Sequence, residues 1–298
     1  MNRYAATLSW RVDDKWDQEL LRVFLREHCH ISKRGLADIK FNGGAIALNG
    51  EEVTVRKLIK TGDEVTVCLP TEEVSSSLLA EDKELNIVFE DDHLLLINKE
   101  AGMSTIPSRE HPVHSLANFV LGYYRKKGIQ TTFHAVNRLD RDTSGLLIIA
   151  KHRLAHDRLS KLQQEGRVNR YYKALITGKP LQEKGTIDAP IDRDPTSIIS
   201  RQVRENGKRA VTHFSIIKVT NQGSLVDIKL ETGRTHQIRV HFSYIGHPLL
   251  GDDLYGGRRD VIDRHALHCY KVKFQHPFTN EWIRITTDLP MDMSSLID

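Results

Sequence analysis

The sequence predicts an α+β protein in which a mostly antiparallel or mixed sheet follows a small N-terminal αβ module. Three observations support this prediction. Short segments of strand character outnumber helical segments after residue 85. Strands and helices do not alternate regularly there, which disfavours a doubly wound parallel sheet. No repeat of fixed period occurs along the 298 residues, which disfavours solenoids and propellers.

The N-terminal module is predicted from two helices followed by short alternating strands. Residues 17–28 place four apolar side chains at helical spacing. Ser32 is a suitable N-cap for a second helix that would end near Phe41. The Asn49-Gly50 and Gly62-Asp63 pairs are turn signals between segments that alternate apolar and polar residues. Because the apolar residues of the first helix can form a core within the module, its removal is expected to expose no large interface.

A polar, acidic and serine-rich stretch, residues 71–84, separates this module from the remaining chain. We assign residues 13–75 to the module, 76–84 to a flexible linker and 85–298 to the main domain. In the main domain we expect helices at about 114–127 and 153–165, and strands at 87–90, 94–98, 145–150, 171–177, 212–219, 225–231, 235–242 and 282–286.

Composition and charge describe a soluble protein with a mild preference for polyanions. The net charge is +4, and basic residues concentrate in two stretches, 151–173 and 201–209. The apolar runs are too short to cross a bilayer, and the N-terminus lacks a secretory signal. The three cysteines are widely spaced, which indicates neither a disulfide framework nor a thiolate zinc site. We expect a cytoplasmic protein without a membrane partner.

The segment from Asn137 to Gly145 (NRLDRDTSG) is the most informative motif, because it places charged and hydroxyl side chains directly before an apolar strand. Polar loops at a sheet edge commonly carry functional groups, although such a segment could also be a strand-entry turn capped by aspartates. The motif closely resembles the catalytic signature H-R-L-D-x-x-T-S-G of the RluA-like pseudouridine synthases. The resemblance implies that Asp140 is the catalytic carboxylate and that Arg138 helps to displace the target base. Asn137 occupies the position where the family commonly has histidine, so we expect altered local hydrogen bonding there.

Further segments resemble motifs of the same family, in the same order. Residues 98–102 resemble its N-K-P-A-G turn, with glutamate in place of the usual proline. Residues 170–174 resemble the strand that carries the active-site tyrosine, which implies this role for Tyr172. Residues 233–241, continued by 246–249 and 251–256, resemble a second long signature, which implies that Arg239 pairs with the catalytic aspartate.

Polar and apolar side chains alternate along residues 235–242, and this alternation indicates which way Arg239 would face. In a strand, Thr235, Gln237, Arg239 and His241 would share one face, and the intervening apolar side chains would face the core. A guanidinium beside a carboxylate favours the ionised form of that carboxylate. We therefore expect Arg239 within about 6 Å of the carboxylate, the usual range of strong coupling.

The resemblance covers about residues 85–290 and implies an isomerase that converts uridine in RNA into pseudouridine. The reaction oxidises nothing and releases no group, so neither a metal nor an organic cofactor is implied. Residues 13–70 resemble the S4 RNA-binding module, which implies that its basic side chains contact RNA phosphates. These side chains are Arg22, Arg26, Lys33 and Arg34. The combination favours large-subunit ribosomal RNA as the partner, and a monomer is expected.

Three alternatives remain at the level of sequence. The same chemistry could act on transfer RNA, or the chain could be an RNA-binding protein without activity. The 15 histidines raise a third alternative, a metal-dependent hydrolase. No HExxH motif or other metal-ligand spacing is present, which disfavours the hydrolase.

Overall fold

The computed structural model describes residues 3–108 and 111–297, and its first part combines two helices with a four-stranded sheet of order β1-β4-β2-β3. These elements are β1 (Ala6–Arg11), α1 (Leu21–Glu27), α2 (Lys33–Phe41), β2 (Ala45–Leu48), β3 (Glu51–Glu52) and β4 (Glu64–Leu69). Strand β1 precedes residue 13, where we expected the module to begin. Helix α1 is shorter than expected because Gln18 adopts a positive φ of 59°. Ser32 caps α2 as predicted, accepting a hydrogen bond from the amide of Gly35 at 3.0 Å.

The second part is built on a ten-stranded mixed sheet of order β10-β13-β14-β9-β15-β8-β6-β5, with β7 and β16 paired beside it. Its strands are β5 (Ile87–Glu90), β6 (Leu94–Lys99), β7 (His134–Ala135), β8 (Ser144–Ala150), β9 (Asn169–Ile176), β10 (Lys184–Asp188), β13 (Val211–Val219), β14 (Ser224–Leu230), β15 (Leu267–Gln275) and β16 (Trp282–Thr286). Strands β11 (Ile191–Arg193) and β12 (Arg201–Val203) form a separate hairpin. The helices are α3 (Leu116–Lys127), α4 (Arg153–Gln164), α5 (Gln237–Tyr244) and α6 (Met291–Ser294).

The predicted α+β class is confirmed, since the described strands pair antiparallel except for one short parallel contact between β15 and β8. Strand β8 is buried along its whole length, and apolar side chains of β6, β8, α3 and α4 form the main core. Within the described ranges, no helix has both the length and the apolar character needed to span a membrane.

The expected strand at residues 235–242 is wrong, because this segment forms helix α5. The chain enters the helix through His236, whose φ of 56° is left-handed. All six residues from Gln237 to Phe242 are buried, so packing on every side overrides the weak helix preference of their β-branched members. In a helix, His236 and Arg239 lie three residues apart on the same face, whereas a strand would separate them.

The segment 71–84 has no helix or strand, yet it is held against the main sheet and its helices. Glu72 accepts hydrogen bonds from the amide of Arg153 at 3.0 Å and contacts His134 Nε2 at 2.6 Å. Farther along, the Leu79 carbonyl accepts from the Asn118 side chain at 2.8 Å. These contacts contradict the flexible segment that we expected from its composition.

Helix α4 joins the two parts of the molecule. Its Leu154 is 5% exposed and packs into the core of the N-terminal part. The guanidinium of Arg158 donates to the Cys29 carbonyl and to the Pro277 carbonyl, and it lies 4.2 Å from the ring centre of Phe278. Removing the N-terminal part would expose Leu154 and would take from Arg158 its acceptor at Cys29.

Candidate active site

The loop that carries the motif, residues 137–145, leads from β7 into β8. Its end is fixed by Gly145, whose φ is +112°. A Cβ atom at this position would lie 2.3 Å from the Cys269 carbonyl oxygen, so only glycine lets β8 pass so close to β15. The loop is thereby held at the end of the central strands.

The carbonyl groups of this loop are held by hydrogen bonds. Four consecutive carbonyl groups accept bonds, three of them from side chains outside the loop. The bonds run from Thr105 Oγ1 to the Leu139 carbonyl (2.7 Å), from the Thr143 amide to Asp140 (3.1 Å), from Lys99 Nζ to Arg141 (3.1 Å), and from Arg264 Nη1 to Asp142 (3.0 Å). The loop is thus a preorganised support for the side chain of Asp140.

The structure brings Asp140 and Arg239 together. Arg239 Nη1 donates to Asp140 Oδ2 at 3.2 Å, well within the expected distance. Its other nitrogens, Nε and Nη2, each donate at 2.7 Å to one oxygen of Asp252, whose side chain is fully buried. Two bonds from one planar guanidinium fix its orientation. Asp252 therefore holds Arg239 in the plane from which it reaches Asp140.

A second contact to Asp140 comes from His236. Tyr255 Oη accepts from the Arg201 amide at 2.9 Å and shares a second hydrogen bond with His236 Nδ1, 2.8 Å away. Burial lowers the pKa of His236; the nearby Asp140 raises it, Arg239 and Arg201 lower it, and the net shift is downward, so the ring is neutral at physiological pH. Its Nε2 lies 3.8 Å from Asp140 Oδ2.

Asp140, Tyr172 and Arg138 line one small depression on this surface, together with Arg239. The side chain of Asp140 is 29% exposed, and its Oδ1 forms no hydrogen bond with the described residues. Tyr172 is 4% exposed, and burial raises the pKa of its phenol far above the usual value. Tyr172 is therefore protonated at neutral pH and cannot act there as a base. Arg138 is exposed and has no ion-pair partner among residues 3–108 and 111–297.

The other residues singled out in the sequence lie either in the Asp140 loop or on the N-terminal helices. Asn137 is buried, and its Oδ1 accepts from the Ile148 amide at 2.9 Å, so the residue ties the loop to β8. The four basic residues predicted to contact phosphates lie on α1 and the start of α2 and line no part of the depression. All four are exposed: Arg22, Arg26, Lys33 and Arg34.

The histidines that suggested a hydrolase serve other contacts. His241 is fully buried and bonds to Thr212 Oγ1 and the Ala189 carbonyl, each at 2.9 Å. In the part of the chain that the structure describes, no three His, Cys, Asp or Glu side chains form a group able to hold a metal ion. The arrangement around Asp140 instead suits chemistry by a carboxylate.

Sequence reasoning missed four residues of this site: Lys99, His236, Asp252 and Tyr255. Lys99 and His236 lie inside segments that were recognised, but nothing in their spacing indicates a direct contact with the Asp140 loop. Asp252 and Tyr255 belong to residues 251–256, which continue the second signature but by themselves indicate only a Gly-Asp-rich turn. Only the close packing of this turn against α5 gives them a role.

Lys99 makes the site sensitive to pH. Its Nζ donates to three carbonyls, those of Glu100 and Met103 at 2.8 Å and that of Arg141 at 3.1 Å. Burial lowers the pKa of Lys99 to about 7. A neutral amine has only two N–H groups, so one carbonyl loses its bond as the pH rises through this pKa. The longest bond is the one that holds the loop of Asp140.

We therefore expect the turnover rate to fall by about threefold or more between about pH 6 and pH 9, as the protonated, three-bonded form of Lys99 is lost. Single-turnover rates of the wild-type chain across this range measure the effect. Lys99→Met should be slower and should lack the alkaline decline. A flat profile to pH 9, or the same decline in Lys99→Met, would contradict the role of Lys99.

Comparisons with known proteins show which family of proteins the chain is similar to. Residues 93–244 match the family model described as RNA pseudouridylate synthase. An uncharacterised RNA pseudouridine synthase of Bacillus subtilis (strain 168), YjbO, is 53% identical over 267 residues, which cover 90% of this chain and 94% of that protein. Ribosomal large subunit pseudouridine synthase D of Vibrio cholerae is 36% identical, covering 84% of this chain and 81% of that protein. The solved structure of human RNA pseudouridylate synthase domain containing 1 is 27% identical, with a TM-score of 0.57, and covers 73% of this chain and 86% of that one.

Proposed function

Since this chain belongs to the RluA-like family of RNA pseudouridine synthases, we propose that it isomerises specific uridines of large-subunit ribosomal RNA, with Asp140 as the catalytic carboxylate. The contact that supports this role most strongly is the 3.2 Å bond from Arg239 to Asp140 Oδ2. It fixes one oxygen of a partly exposed carboxylate at the edge of a depression. The other oxygen is free to meet the ribose of a bound nucleotide.

The reaction requires little from the protein beyond this carboxylate. The N1–C1′ bond breaks, the uracil turns, and a C5–C1′ bond forms, while C5 loses a proton and N1 gains one. An ionised carboxylate can attack C1′, remove a proton from the ribose, or stabilise positive charge at C1′. The geometry is compatible with each of these routes. Arg239, oriented by Asp252, keeps the Asp140 carboxylate in position while the uracil rotates.

Arg138 and Tyr172 suit the two tasks that accompany this chemistry. A uracil in folded RNA must leave its stack before it reaches the depression. The exposed guanidinium of Arg138 is free to fill the vacated space. The buried phenol of Tyr172 offers an aromatic face beside the base and a proton donor that does not ionise. We propose these roles for the two residues.

Two observations support ribosomal RNA as the substrate. The relative from Vibrio cholerae carries a name that specifies the large ribosomal subunit. The N-terminal residues 13–75 have the helix and strand order that we compared with the S4 RNA-binding module. Their exposed cations Arg22, Arg26, Lys33 and Arg34 lack ion-pair partners within the described parts of the chain, so they are available to phosphates.

Tritium release tests the proposed reaction and its substrate, because C5 loses its hydrogen only when the base is rejoined through carbon. The purified chain should release tritium from unmodified large-subunit ribosomal RNA labelled at C5 of uridine, and far more slowly from transfer RNA. Faster release from transfer RNA would show that transfer RNA, and not ribosomal RNA, is the preferred substrate. Binding to RNA without release from either would favour the inactive RNA-binding protein.

A further inference from the structure

A large cleft of about 770 Å³ lies between the N-terminal part and helix α4, away from Asp140. Six arginine and lysine side chains line it, against two carboxylates. The basic residues are Arg26, Arg34, Arg153, Arg158, Lys161 and Arg167, and the acidic ones are Asp157 and Glu165. The cleft therefore carries a strong positive excess, although the whole chain has a net charge of only +4.

Several of these cations are free to bind an anion. Arg26, Arg34 and Lys161 are exposed and form no ion pair within residues 3–108 and 111–297. They come from α1, α2 and α4, so three elements converge on one space. His30 also lines the cleft, and Arg158 and Lys161 add to the effect of burial in lowering its pKa.

The walls of the cleft are fixed relative to each other. Arg158 binds the carbonyl of Cys29 from α4, and Ser32 Oγ donates to Asp157 Oδ2 at 3.4 Å. Leu154 packs into the N-terminal core from the same helix. The positively charged cleft therefore forms without any closure of the N-terminal part onto α4. It is a preformed feature of the junction.

The cleft is far from the candidate active site. Leu267 lines the depression beside Asp140, and Gln275 lines the cleft. Both lie on strand β15, eight residues apart, which corresponds to about 25 Å. An RNA that contacts both places must extend by at least this distance from the target uridine.

We propose that this cleft is a second RNA-docking site, which holds the phosphate backbone of a segment remote from the target uridine and thereby selects extended, structured RNA over short fragments. The proposal rests on the proposed function for its choice of RNA as the polyanion. Several exposed cations around an open space suit a row of phosphates, whereas a single small anion would need converging buried donors. The site therefore supplies affinity and substrate length preference, and it does not touch the reacting atoms.

The double variant Lys161→Gln/Arg167→Gln in the full chain tests this site, because it removes two cations contributed by α4 and the turn after it, neither of which belongs to the proposed phosphate contacts of the N-terminal module. Its affinity for long ribosomal RNA should fall about tenfold at moderate salt, and the slope of log affinity against log salt should flatten by about two. Single-turnover rates should be unchanged on a short RNA that extends roughly 15 Å, about four nucleotides, from the target uridine. Lys57→Gln/Lys60→Gln is the matched control, since it removes the same charge from exposed positions of the N-terminal part outside the cleft.

The two sets of measurements separate the docking site from the proposed reaction. Direct binding to long RNA is measured without turnover, so it reports on the cleft even if no isomerisation is detected. Long-RNA affinity and salt slope equal to those of the control variant would overturn the proposal. Equal losses on long and short RNA would also overturn it, because the residues would then act at the reaction site or through the fold.

Discussion

Asp140→Asn is expected to lower tritium release from uridine-labelled RNA by about a thousandfold or more, the size of loss seen when a reacting group or its charge is removed. The amide keeps the shape of the carboxylate but carries no charge, so it can neither attack C1′ nor stabilise positive charge there. Arg239 retains both of its bonds to Asp252, which keeps the surrounding structure in place. RNA affinity should therefore stay close to that of the wild-type chain.

The neighbouring Asp142 provides the matched control. Its carboxylate lies in the same motif and contacts only Arg141, at 3.2 Å, among the described residues. Asp142→Asn removes the same charge two residues away and should retain most of the activity. The assignment of Asp140 fails if Asp140→Asn is active, or if both variants lose activity equally while remaining folded.

Arg239→Lys is expected to lower turnover by about a hundredfold, although it preserves the positive charge. An ammonium group cannot hold Asp252 with two parallel bonds and reach Asp140 at the same time. Asp252 is fully buried, and its carboxylate would lose one of the two hydrogen bonds that compensate its buried charge. We therefore also expect the free energy of unfolding to fall by about 2 kcal/mol, because Asp252 loses a hydrogen bond to a charged group while the positive charge remains.

Activity and chemical denaturation of the same preparation measure both effects. Arg234→Lys is a suitable control, because Arg234 lines the same depression but is exposed, and its Nε binds only the Arg209 carbonyl, at 3.0 Å. It should change activity little. An Arg239→Lys variant with near-normal turnover and stability would show that the three-bonded guanidinium does not support the carboxylate.

Much of the fold follows from local sequence signals. The strands that became β6, β8, β9, β13 and β14 are short apolar or alternating runs, and Ser32 caps its helix as its position indicates. Helix α5 could not be predicted in this way, because its residues alternate like a strand. Its helical form depends on burial from all sides, which is a property of the tertiary structure.

The central strand β15 was missed for a related reason. Its lysines and histidines resemble a polar motif more than a strand, yet it lies between β8 and β9 at the middle of the sheet. Within the candidate site, three segments that resemble the family's motifs indicated four residues: Asp140, Arg138, Tyr172 and Arg239. The partners that orient them come from segments more than ten residues away and are brought close only by folding.

Mapping of pseudouridine in cellular RNA tests the central claim most directly. A strain without the gene should lack pseudouridine at one or more positions of large-subunit ribosomal RNA. The wild-type gene should restore these positions, and the Asp140→Asn gene, producing equal amounts of protein, should not. Unchanged pseudouridine in the deletion strain, or full restoration by Asp140→Asn, would contradict the claim that this chain modifies ribosomal uridines through Asp140.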